Sequence, residues 1–214
     1  MDITWLGHAC FRLHDADMVV VTDPYPASIG LRVDNRPASV VTVSNSHPNH
    51  SHSESIEGDP KVFAAPGEYE YNGVTVRGVM TPLAEGQPLA ERTVAFTIDI
   101  GNINVCHLGD ISVPLTTRLI DELKPVDVVL VPTGGHCTLH VDQVYQILQD
   151  LDAKVVIPMH YKTPGVNVEV DTNDNFVRRM GLDEVQPQPR LVVTTANLGT
   201  DMRVVVMTNQ GRPR

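Results

Sequence analysis

A run of mostly β-branched residues, Ser39-Val40-Val41-Thr42-Val43, passes through Ser44 into the cluster Asn45-Ser46-His47-Pro48-Asn49-His50. Such a run pairs in a sheet, and its end delivers several imidazole and amide side chains to one loop. The pattern recurs along the chain. Asp110 follows Asn104-Val105-Cys106-His107-Leu108-Gly109, His160 lies just past Val155-Val156-Ile157-Pro158, and Asp23 closes Val19-Val20-Val21-Thr22. Polar groups stationed this way point to sheets whose strand ends share an edge. There the strands hold the side chains rigidly while the loops stay open to a ligand.

The first half reads as short strands. Ile3-Thr4-Trp5-Leu6, Cys10-Phe11-Arg12-Leu13 and residues 18–23 come first, then 40–44 and 61–64. Tyr69-Glu70-Tyr71-Asn72-Gly73-Val74-Thr75-Val76 carries the Asn-Gly centre of a two-residue hairpin. Residues 93–100 and 103–108 form another hairpin. The second half alternates. Helical spacing of Leu115, Leu119, Ile120 and Leu123 predicts a helix over 114–123. Val141, Val144, Tyr145, Leu148 and Leu151 predict another over 140–151. Buried strands are expected at 126–131 and 155–158, a helix at 172–180, and closing strands at 191–195 and 203–207. This order fits two sheets packed face to face with helices outside.

With 214 residues, 42% of them hydrophobic, the chain suits one domain spanning 1–214 with a substantial core, or two tightly fused halves. Its net charge of -10 and lack of a Lys/Arg run argue against nucleic acid as a partner. No apolar stretch approaches a membrane span, and residues 1–20 lack the pattern of a signal peptide. Cys10, Cys106 and Cys137 are too few and scattered for a disulfide framework. Reduced thiols in a cytoplasmic protein are expected.

Histidines and carboxylates gathered at one edge suit a divalent cation, Zn or, with more oxygen ligands, Mn or Fe. Such an ion lowers the pKa of water and supplies a nucleophile near neutral pH. His47 and His50 share a tight loop that Pro48 helps to fix. Other histidines read more plainly. His52 lies in a solvated loop, and His107 faces away from Asp110 and packs. The segment from His136 to His140 is a turn after Gly134-Gly135 and the opening of a helix.

Seven segments occur in order: Trp5-Leu6-Gly7-His8-Ala9-Cys10-Phe11, Thr22-Asp23-Pro24-Tyr25, the loop at 45–50, Ala65-Pro66-Gly67-Glu68-Tyr69, His107-Leu108-Gly109-Asp110, Pro132-Thr133-Gly134-Gly135, and Pro158-Met159-His160-Tyr161. Together they resemble the metallo-β-lactamase superfamily, in its branch of small metal-dependent hydrolases similar to ascorbate-6-phosphate lactonase. The resemblance covers nearly the whole chain. It implies an α/β fold, a four-layer αβ/βα sandwich with the site at one edge. It also implies that His47 belongs to a first metal, His50 and His160 to a second, and that Asp110 bridges them. His8 would contact substrate or metal.

The chain departs from the family's H-x-H-x-D-H signature. Asn45 stands where the first His would be, and Asn49 where the Asp would be. A further His expected near Thr81-Pro82-Leu83-Ala84 is missing. The expected ligands are therefore His47, His50, Asp110 and His160, with Asn45 at a ligand position, while Asn49 and His8 position water or substrate. One Zn, Mn or Fe ion is expected rather than two. The implied activity is hydrolysis of a small-molecule ester, lactone or phosphodiester by metal-bound water. The alternative is a degenerate, non-catalytic member that holds no metal and binds a small ligand or a protein partner in the cleft. Homo-oligomer formation stays open.

Overall fold

A computed structural model of the chain describes residues 1–89 and 92–213. The first half supplies β1 (Asp2–Gly7), β2 (Cys10–Asp15), β3 (Met18–Thr22), β4 (Leu31–Arg32), β5 (Val40–Thr42), β6 (Lys61–Phe63), β7 (Gly67–Tyr71), β8 (Val74–Met80), β9 (Val94–Ile100) and β10 (Ile103–His107). The second half supplies α1 (Thr117–Leu123), β11 (Val128–Pro132), α2 (Val141–Leu151), β12 (Val155–Met159) and α3 (Asp174–Arg179). Three two-residue strands follow: β13 (Leu191–Val192), β14 (Arg203–Val204) and β15 (Arg212–Pro213).

Local chemistry sets the turns. Asn72 and Gly73 have φ of 49° and 84°, the pair of positive values that a two-residue hairpin of matching twist requires. They join β7 to β8 with Tyr71 opposite Val74. Gly101 and Asn102, at 62° and 60°, do the same between β9 and β10. Side-chain caps fix the helix starts. Thr116 caps α1 by accepting from Leu119 N–H, so this helix begins a few residues later than the apolar spacing suggests. His140 and Gln143 form a capping box on α2. The closing strands are shorter than expected, because only two residues of each find a ladder partner.

A six-stranded sheet has the order β13-β1-β2-β3-β5-β6, and a seven-stranded sheet the order β14-β12-β11-β10-β9-β8-β7. Trp5, Phe11, Leu13, Val20 and Val40 of the first sheet meet Val76, Phe96, Ile98, Val105, Leu130 and Ile157 of the second in the central core. Residues one step along turn the other way. Cys106, Val129, Val131 and Val156 pack beneath Ile120, Leu123, Val144, Leu148, Leu151 and Phe176 of the three helices. On the opposite outer face, Leu6, Cys10, Val21 and Val41 are covered by Tyr25, Ile29, Leu31, Ile56 and Val166 from connecting segments. Strands β10, β11 and β12 run parallel, and β3 runs parallel to β5. The C-terminal ends of β1, β3, β5, β10 and β12 therefore open on one edge. The layers form the αβ/βα sandwich that the sequence resemblance implies.

Candidate metal centre

His8, His50 and His160 meet at that edge. Each presents a ligand nitrogen, and the three nitrogens lie within 4.8 Å of one another. All three residues are 2% exposed, which is unusual for a group of titratable side chains. The ring centroids of His8 and His160 are 4.2 Å apart, and those of His8 and His50 are 4.9 Å apart. Nε2 of His8 and Nδ1 of His160 are buried without a hydrogen-bond partner. A buried orphan nitrogen is costly, and a cation would satisfy both.

The backbone holds these rings in uncommon conformations. His8 and His160 have φ of 52° and 53°, and Asp23 has 38°. Left-handed non-glycine residues cluster at functional sites, where surrounding structure overrides their cost. Here that structure is visible. The His160 N–H donates to His8 C=O at 3.0 Å, and Trp5 Nε1 donates to the same carbonyl at 3.0 Å. Gly134 leaves room for the turn, since a Cβ there would lie 2.2 Å from His160 C=O.

His50 is oriented by Asp23. Its Nδ1 lies 2.8 Å from Asp23 Oδ2, and its Nε2 lies 3.4 Å from Asp110 Oδ2. Asp23 is itself fixed by Ser44, whose N–H donates at 2.7 Å and whose hydroxyl also donates. A carboxylate on the far ring nitrogen is the usual support for a metal-binding imidazole, because it sets tautomer and orientation. Burial opposes a charge on His50, but Asp110 and Asp23 outweigh it and lift its pKa to about 9. Burial, then the neighbouring His50, pulls His160 down to about 4. His8 falls well below its ordinary value through burial and the nearby imidazoles. His8 and His160 are neutral donors, and a divalent cation binding at His50 would displace the proton that the two carboxylates favour there.

The other expected residues lie around this cluster. Asp110 touches it through Oδ2, while its Oδ1 accepts from Asn45 Nδ2 at 2.6 Å and Thr93 Oγ1 at 2.7 Å. Asn45 Oδ1 accepts from His47 N–H at 2.9 Å. His47 is exposed on the turn, with Nδ1 accepting from Asn49 N–H at 3.2 Å and its ring centroid 6.3 Å from that of His50. Asn49 is half-buried beside it. His107 is fully buried and is not one of the three clustered rings. Its Nε2–H donates to Ala9 C=O at 2.8 Å while Nδ1 accepts from Gly109 N–H at 3.3 Å. Asp23 was legible as a strand-end carboxylate, but its service to His50 was not. Thr93 carried no signal at all in the sequence.

Residues 2–160 match the family described as beta-lactamase superfamily domain. A crystal structure from Thermotoga maritima, provisionally assigned as a Zn-dependent hydrolase of the metallo-β-lactamase superfamily, aligns with a TM-score of 0.79 and 34% identity, over 96% of this chain and 97% of that one. A protein of Carboxydothermus hydrogenoformans named a metal-dependent hydrolase is 26% identical over 85% of this chain and 94% of its own length. One from Methanocaldococcus jannaschii with the same description is 26% identical over 87% and 96%. The chain belongs to the metallo-β-lactamase superfamily. Within it, these relatives are named as metal-dependent hydrolases.

Proposed function

We propose that this protein is a metal-dependent hydrolase that holds one divalent cation at His8, His50 and His160, with Asp110 Oδ2 beside them. The observation that carries this reading is the pair of orphaned nitrogens, His8 Nε2 and His160 Nδ1, in a buried three-histidine cluster. The names of the relatives support it. His8 then supplies a nitrogen to a chain that has Asn45 in place of the first His of the family's signature, and Zn is the ion that this nitrogen-rich set favours.

A cation held there supplies Lewis acidity and makes water a nucleophile near neutral pH. The chain's own groups do the rest. Asp23 aims His50, and Asp110 places a carboxylate where a proton from the attacking water can be received. Asn49, half-buried on the turn beside the exposed His47, is assigned to position water or substrate. The substrate we infer is a small ester, lactone or phosphodiester.

The second reading, a non-catalytic member, is favoured by the uncharged amides of Asn45 and Asn49. Metal content separates the two. Protein purified without chelator, and the His160→Ala variant, are analysed for Zn, Mn and Fe. Near-stoichiometric metal that falls at least tenfold in the variant upholds the centre. Hydrolysis of p-nitrophenyl esters or bis-p-nitrophenyl phosphate by the loaded protein then upholds the activity. Absence of metal after loading would overturn the hydrolase reading.

A further inference from the structure

The two oxygens of Asp110 have different surroundings. Oδ2 faces His50 Nε2 at 3.4 Å, whereas Oδ1 takes two donors, Asn45 Nδ2 at 2.6 Å and Thr93 Oγ1 at 2.7 Å. A carboxylate oxygen has two lone pairs, so two short hydrogen bonds saturate it. Any cation approaching Oδ1 would meet the amide hydrogens of Asn45 rather than a free lone pair.

This arrangement is held from several directions. The Asn45 amide is oriented at both ends, because its Oδ1 accepts from His47 N–H at 2.9 Å while Nδ2 donates to Asp110. Its neighbour Ser44 is pinned by Asp23 and accepts from Val94 N–H at 2.7 Å. Thr93 is clamped in turn, since Thr81 Oγ1 donates to Thr93 C=O at 2.8 Å. Thr81 lies in the segment where a further histidine is expected. Asn45, Thr93 and Thr81 are all buried.

We infer that the Asn45 amide takes the place of a second cation: its N–H hydrogens neutralise Asp110 Oδ1, limit the centre to one ion and leave Oδ2 as the only oxygen turned to that ion. Asn45 is thus a positioning residue that sets metal number. The inference rests on the three-histidine reading for the first ion and on Asp110 alone for the missing second one.

The test is metal stoichiometry of the full chain, loaded with Zn2+, freed of excess by gel filtration and counted by elemental analysis. Wild type, Asn45→Asp and Asn45→Ala are compared, with thermal melts to confirm folding. Wild type is expected to hold one ion. Asn45→Asp replaces a donor with a carboxylate facing a carboxylate, so it is expected to recruit a second ion. Asn45→Ala is expected to stay at one ion, bound about tenfold more weakly, as loss of a supporting partner does. The visible spectrum of its Co2+ form should also change, because Asp110 is no longer held.

Two ions in wild type, or one ion in both wild type and Asn45→Asp, would overturn the inference. So would unchanged affinity and spectrum in Asn45→Ala. If Asn45→Asp does not fold, the affinity and spectrum of Asn45→Ala decide. No ion in wild type but one in Asn45→Asp would sink the three-histidine reading and sustain the role of Asn45. No ion in either would sink both.

Discussion

Asp23 and His107 show how much of the centre depends on residues that need not touch an ion. Asp23 fixes the ring of His50 from a fully buried position. Asp23→Asn should therefore weaken Zn2+ binding by about 10–100-fold, measured by competition with a chelating dye, with the fold retained. His107 bridges β10 to the turn that carries His8, through Ala9 C=O. Burial holds its pKa below the ordinary value, against a smaller upward pull from Asp23. The folded state thus binds fewer protons than the unfolded one below pH about 6.5. Stability should fall as pH drops through that value, by at most about 1.4 kcal/mol per pH unit for this one proton. Denaturant melts of wild type and His107→Gln between pH 7 and 5 test this. The slope should be shallower in the variant, and equal slopes would assign the acid loss to other groups.

At the scale of elements, tight seats matter more than propensity. The turn after β11 passes under His160 only because Gly134 has no side chain. Gly134→Ala puts a methyl 2.2 Å from His160 C=O and should cost about 1–3 kcal/mol as an overpacked site. Because the strain falls on His160, metal affinity should drop with it. Leu148 on α2 provides the contrast. It is fully buried in the outer core beneath the helices, away from the centre. Leu148→Ala should cost about 2–5 kcal/mol in a urea melt and leave metal stoichiometry unchanged. A fall in both quantities for Leu148→Ala would mean that helix packing and the centre are coupled.

Across the whole molecule, the centre joins two layers. His8 and His50 come from loops of the six-stranded sheet, while Asp110 and His160 come from the seven-stranded one. A bound cation would staple the sheets together at one edge. Free Zn2+ at 100 times its Kd should stabilise the protein by about 2.7 kcal/mol. For a domain of this size that raises Tm by roughly 5–10 °C, reversed by EDTA. His50→Ala should abolish the shift. No helix among the described residues is long and apolar enough to cross a membrane.

The chain alone specifies the strand-rich first half, the alternating second half and the strand ends as the place for chemistry. These rest on short-range patterns, such as β-branched runs, helical spacing and Asn-Gly turns, that the tertiary structure does not need to supply. It also carried the ordered motifs of the superfamily, and with them the αβ/βα sandwich. Which side chains meet is fixed by packing across the two sheets. His8, His50 and His160 are separated by 42 and 110 residues in the chain, yet the parallel ends of β1, β5 and β12 bring their rings together. Asn45, read as standing at a ligand position, spends both ends of its amide on His47 and Asp110. Thr93 joins it from the far end of the seven-stranded sheet's β8–β9 connection. Hydrogen-bond direction and the pairing of distant groups depend on distances of a few tenths of an ångström, and those are set by how the two sheets pack, not by any neighbour in the chain.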